Sequence, residues 1–137
     1  MDDVVCLDNN FLDTVSAEEL IPLIVTRIPD SKEDNVVYEQ NAQTLVTSVV
    51  PALIELRDQG KLKFSIATVL DHLLLGKMVK LTQRDDVSKT TISAIESFLT
   101  SVGWQKEQPL EKQPRSLAEQ FGYARAYCSV ALDSLAN

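Results

Sequence analysis

Aromatic residues make up 6% of this 137-residue chain, histidine occurs once, cysteine twice and glycine four times. Each scarcity excludes a kind of chemistry. Cys6 and Cys128 stand far apart with no third or fourth soft ligand, which leaves them as free thiols and excludes a zinc cluster. The glycines at 60, 76, 103 and 122 are isolated, so no glycine-rich loop is present to cradle a phosphate. His72 has no second histidine for a metal pair. Asp71 beside it projects about 100° away around a helix, so the two do not form an acid–base pair by themselves. A nucleophile elbow is also missing. No cofactor and no metal is implied. No apolar run approaches the roughly 18 residues of a membrane span. The opening Met1-Asp2-Asp3 lacks the basic and apolar regions of a secretory signal.

What is present suits one helical domain. The apolar share is 45%, enough to fill a core at this length. The net charge of −7 is unevenly spread. Residues 1–40 carry ten acids against Arg27 and Lys32, a balance of −8, whereas residues 41–137 carry ten acids and eleven bases. The acidic end argues against contact of that face with nucleic acid.

Punctuation places the helices. Ser16-Ala17-Glu18-Glu19 reads as a capping box ahead of Leu20, Ile21, Leu23, Ile24 and Ile28. Pro22 and Pro29 limit that helix to about three turns, and residues 30–34 form a charged loop. Ala42, Leu45, Val46, Val49, Leu53 and Leu56 recur at helical spacing, with Glu39, Gln43, Thr47 and Glu55 on another face. This predicts a helix of roughly 25 residues despite many β-branched side chains. Pro51 falls in the polar row and should kink the helix with its own side facing outward, and Gly60 should end it in the left-handed conformation. Ser65 can cap a helix over Ile66–Leu74, which Gly76 is expected to break from a continuation, Lys77–Gln83. A further helix covers Lys89–Val102, with Ile92, Ile95, Phe98 and Leu99 buried and Gly103 as its stop. Asp85 and Asp86 precede it and suit capping or helix-dipole roles. Trp104–Arg115, with two prolines and five charges, reads as an extended surface loop. Ser116-Leu117-Ala118-Glu119 resembles a second capping box. It opens a helix with the seam Leu117, Phe121, Ala124, Cys128, Ala131 and Leu135. The first 15 residues show no helical period and the last helix carries no stop signal, so both read as connectors to something longer. The two ends are expected within roughly 15 Å of each other.

One candidate surface emerges. Between positions 57 and 89 there are seven bases and four acids. Of these, Lys61, Lys63, Lys77, Lys80 and Arg84 are the candidate contact for nucleic acid or a partner, able to hold phosphates through counterion release. Phe64 is the lone aromatic among them, too little for base stacking. Tyr123 and Tyr127, with Gly122 and Ala126, form a stripe suited to packing on the long helix or to a close partner contact.

Several stretches together resemble the all-alpha domain of type IV secretion coupling proteins. The run Asn9-Asn10-Phe11-Leu12-Asp13-Thr14-Val15-Ser16-Ala17-Glu18-Glu19-Leu20 is similar to the opening of that domain. So are Ala52-Leu53-Ile54-Glu55-Leu56-Arg57-Asp58-Gln59-Gly60 and the following Leu62 to Leu75. Gln120-Phe121-Gly122-Tyr123-Ala124-Arg125, through Leu135-Ala136, resembles the helix by which such domains return to their motor. The resemblance implies an all-α bundle of five to seven helices, inserted in a hexameric, membrane-anchored, RecA-like ATPase of bacterial conjugation or secretion. It implies a cytoplasmic position without direct membrane contact. The implied partners are a relaxase or relaxosome, effector proteins, DNA, and the rest of the ATPase. Residues 1–137 would be one substrate-receptor domain, not itself an enzyme because the nucleotide-binding motifs are absent. The rival expectation is an unrelated helical adaptor that holds a partner helix in a groove.

Overall fold

The computed structural model describes residues 7–30 and 36–135. Val5, Cys6 and most of the 30–34 loop lie outside them. The described residues form seven α-helices and no strand: α1 (Asn9–Thr14), α2 (Ala17–Val25), α3 (Val36–Asp58), α4 (Ile66–Asp71), α5 (Leu75–Thr82), α6 (Lys89–Ser101) and α7 (Arg115–Leu135). The all-α bundle expected from periodicity is what forms.

Helix α3 is the axis. It packs against α2, α6 and α7, and its second half is apolar nearly all round. Val49, Val50, Ala52, Leu53, Ile54 and Leu56 are all buried there. Each buried valine, leucine or isoleucine contributes about 1.5–3 kcal/mol by leaving water, which outweighs the weak helix propensity of the valines. Pro51 does not break the helix. It removes the N–H that would meet the Thr47 carbonyl, and Thr47 lies on the exposed side with its hydroxyl bonded to the Gln43 carbonyl at 2.8 Å. All six seam residues of α7 are buried, and Leu132 joins them.

The helix ends follow local chemistry. Ser16 closes a capping box with Glu19, as its spacing predicts. Gly60 takes φ +74°, with its N–H on the Arg57 carbonyl and the Lys61 N–H on the Leu56 carbonyl, both at 2.9 Å. Gly103 repeats this pairing at φ +116°, its N–H on the Thr100 carbonyl and the Trp104 N–H on that of Leu99. Both are Schellman endings, which need a residue free to take positive φ.

Four expectations are corrected. A short helix, α1, lies within the first 15 residues, capped by the Asp8 carboxylate on the Phe11 N–H at 2.9 Å. Gly76 does not separate two helices: the break falls at His72–Leu74, and Gly76 is the second residue of α5. Ser116 sits inside the first turn of α7, so it is not the cap. The preceding Pro114 has no N–H to satisfy, which lets the helix start at Arg115. Residues 104–115 are not simply an extended surface loop. Trp104 is buried and Leu110–Lys112 form a 3-10 turn.

The described ends of the chain meet. The Leu7 N–H donates to the Leu135 carbonyl at 3.4 Å. Arg57 ties the same end of the bundle together. Its Nη1 donates to the carbonyls of Leu12 at 2.9 Å and Val15 at 2.7 Å, and its guanidinium lies 5.8 Å from the Phe64 ring centre.

Candidate functional site

The five candidate bases come from three places: Lys61 and Lys63 from the turn after α3, Lys77 and Lys80 from α5, and Arg84 from the turn that follows it. The fold brings Lys61 and Arg84 together on one carboxylate. Asp86 Oδ2 receives Lys61 Nζ at 2.7 Å, and both Asp86 oxygens receive the Arg84 guanidinium at 2.7 Å. The hydrogen bonds from Arg84 and then Lys61 hold the Asp86 carboxyl well below the usual carboxylate range. Lys77 pairs with Asp71, and Lys63 lies 3.7 Å from Asp13. Four of the five bases thus carry a carboxylate partner, and each partner lowers the positive potential offered to a phosphate. Lys80 is exposed and pairs with no carboxylate among the described residues.

Residues singled out for other roles fall into structural ones. His72 Nδ1 donates to the Thr68 carbonyl at 2.9 Å, while Asp71 turns to Lys77. Asp86, engaged by its two bases, does not cap α6. Ser88 is the N-cap, its hydroxyl accepting from the Thr91 N–H at 3.4 Å, and Glu55 of α3 holds that cap in place by accepting from the Ser88 N–H at 2.7 Å, the Ser88 hydroxyl at 2.8 Å and the Thr91 hydroxyl at 2.6 Å. Burial raises the pKa of Glu55, but these bonds outweigh it and the net shift is downward. Tyr123 stacks on Tyr38 of α3 with ring centres 4.2 Å apart, the inter-helix packing its stripe suggested. The Cys128 thiol is free and buried and donates to the Ala42 carbonyl at 3.3 Å. Its pKa is pushed up to about 12 by desolvation. No cluster of three or more potential metal ligands occurs among the described residues.

A sizeable concave feature lies beside the basic residues, and the sequence reading missed it. A hollow of about 750 Å³ opens between α5 and the segment after α6. Its apolar lining comes from Leu74, Val79, Trp104, Pro109 and Leu110, and Gly76 leaves room beside Leu110. Leu74 and Leu110 are 42% and 45% exposed, so the apolar surface continues beyond the hollow itself. Lys77, Lys80 and Lys106 stand on its rim against a single acid, Glu96. The outer wall is braced. Gln113 accepts from the Gln105 N–H at 2.8 Å and donates to the carbonyls of Gln105 at 2.7 Å and Gln108 at 2.9 Å. Lys106 pairs with Glu96 of α6 at 2.9 Å. A lone tryptophan followed by Pro109-Leu110 in an otherwise polar stretch was the available signal.

The geometry of the described residues defines a helical bundle with a preformed apolar hollow edged by lysines. The chain matches no family model, no curated protein and no solved structure.

Proposed function

We propose that this chain is the substrate-receptor domain of a type IV secretion or conjugation coupling ATPase, receiving relaxase, relaxosome or effector protein cargo. The observation that carries the reading is the junction of the ends of the described residues, Leu7 and Leu135. An inserted domain leaves and rejoins its host through neighbouring segments, and the hydrogen bond from Leu7 to Leu135 supports that arrangement. The resemblance of residues 9–20, 52–60, 62–75 and 120–136 to the family's domain points the same way. ATP binding and hydrolysis belong to the host motor in this reading.

Protein cargo is preferred over DNA. The chain has a net charge of −7, and the carboxylate partners of Lys61, Lys63, Lys77 and Arg84 oppose phosphate binding. The second reading, a free-standing helical adaptor, is favoured by the hollow between α5 and Trp104, which has the form of a docking groove. Two tests separate these. The reading frame around this segment should encode a RecA-like motor with a phosphate-binding loop upstream; an unrelated or absent flanking sequence replaces the receptor with the adaptor. Fluorescence anisotropy with single- and double-stranded oligonucleotides should show little binding even at low salt. Tight binding that weakens steeply with salt, and is lost when Lys61, Lys63, Lys77, Lys80 and Arg84 are changed together to Glu, makes DNA the cargo instead.

A further inference from the structure

We infer that the hollow between α5 and the Trp104–Leu110 segment is the cargo-docking groove, and that its occupant is a short protein segment carrying apolar side chains flanked by carboxylates. This deepens the receptor reading and rests on it for the word cargo.

The apolar part follows from the lining. Val79, Trp104, Pro109 and Leu110 offer no buried charge to satisfy, so the seat suits aliphatic or aromatic side chains. Its volume of about 750 Å³ lies within the usual range of small-ligand pockets. Leu74 and Leu110 extend the apolar surface onto the outside of the bundle. A polypeptide running across the mouth covers more of this continuous apolar surface than a small molecule seated in the hollow.

Charge complementarity supplies the acidic part. The rim carries Lys77, Lys80 and Lys106 with Glu96 alone opposing them. Lys106 is held by Glu96 and Lys77 by Asp71, while Lys80 remains without a carboxylate partner among the described residues. A carboxylate on the incoming segment completes Lys80 and gains from the other two.

Gly76 is an independent sign. It lies in the first turn of α5 with no positive φ, and a β-carbon there would meet only Leu110 Cδ1, at an ordinary 3.7 Å. Nothing in the bundle requires a glycine, and glycine within a helix costs about 1 kcal/mol relative to alanine. What its missing side chain leaves is open space in the lining of the groove. The wall facing it is held by Gln113 and by the Lys106–Glu96 pair, so the groove exists before any partner arrives and little ordering free energy opposes docking.

The test is selection of a displayed random peptide library of about twelve residues per peptide on the immobilised chain, followed by affinity measurement of the enriched peptides. Enriched peptides should carry apolar residues beside Asp or Glu. Their affinity should fall about tenfold or more with Lys80→Glu and with Gly76→Leu, which fills the groove. Lys80 is exposed, so Lys80→Glu leaves folding intact, and the helical spectrum and unfolding midpoint check both variants. Failure to enrich any peptide, enrichment of basic peptides, or affinities indifferent to both variants overturns the groove, even where the flanking sequence encodes a motor. Groove-dependent acidic peptides without a flanking motor keep the groove and remove the receptor reading. Self-association of the chain lost in Gly76→Leu, or oligonucleotide binding lost in Lys80→Glu, assigns the surface to a second copy or to nucleic acid and overturns the proposal.

Discussion

Replacing Arg57 with methionine removes the clamp that joins α1 to the end of α3. The side chain is 10% exposed and gives one nitrogen to two carbonyls, those of Leu12 and Val15. Hydrogen bonds from a charged donor contribute about 1.5–3 kcal/mol each, so the gross loss is about 3–6 kcal/mol. Methionine keeps most of the apolar stem over Phe64, and water reaches part of the vacated space, which brings the expected loss to about 3 kcal/mol. The pair with Asp58, a residue 61% exposed, adds little. A domain of this size has a total stability of about 7–20 kcal/mol, so the variant remains folded with a melting temperature lower by about 10 °C. Urea unfolding followed by circular dichroism measures the difference. Lys63→Met is the control, because its contact with Asp13 is long and exposed; its effect should stay within about 0.5 kcal/mol. An Arg57→Met loss below about 1 kcal/mol, no larger than that of the control, refutes the clamp.

Three other outcomes are expected. In a Cys6→Ser background, Cys128 should resist thiol reagents at mildly alkaline pH until the chain unfolds, because burial raises its pKa to about 12; rapid native-state labelling contradicts its placement. Gly122→Ala should stabilise by about 0.5–1 kcal/mol in chemical denaturation, since a β-carbon there meets nothing within 4 Å and glycine is a poor helix former; a destabilised variant means that the space is occupied. Glu55 has a lowered folded pKa, so its stabilisation is present above the unfolded value near 4.5 and is lost as pH falls through the folded value. Glu55→Gln should therefore lose stability at neutral pH and show a shallower acid decline, and parallel pH profiles for the two proteins exclude that role.

The long helices were legible because each presents a periodic apolar face to its neighbours. Helix α3 proved more widely buried than one stripe suggests: α2, α6 and α7 all pack against it, and Val50, Ala52 and Ile54 are buried too, which spacing within α3 cannot reveal. Local motifs misled where an equally good alternative lay one step away. Ser116 and Glu119 have capping-box spacing, but Pro114 starts the helix earlier. Gly76 has the composition of a helix breaker, yet a glycine in a helix lowers stability without ending it. The candidate bases were visible, whereas their partners were not: Lys61 and Asp86 are 25 positions apart, and only the fold brings them together. For the same reason the largely covered position of Arg57, whose guanidinium reaches the Leu12 and Val15 carbonyls, is invisible in the sequence. The hollow was least legible, because its walls come from α5, α6 and a segment read as a plain loop.

The central claim, a receptor domain inserted in a motor, is tested most directly by excision from its host. In the full-length gene, residues 7–135 would be replaced by a flexible linker of about five residues, sufficient because the two ends are hydrogen-bonded to each other. ATP hydrolysis by the host and transfer of its cargo would then be measured side by side. The account predicts that hydrolysis persists while transfer is lost, and that Lys80→Glu in the intact protein impairs transfer alone. Undiminished transfer after excision contradicts it.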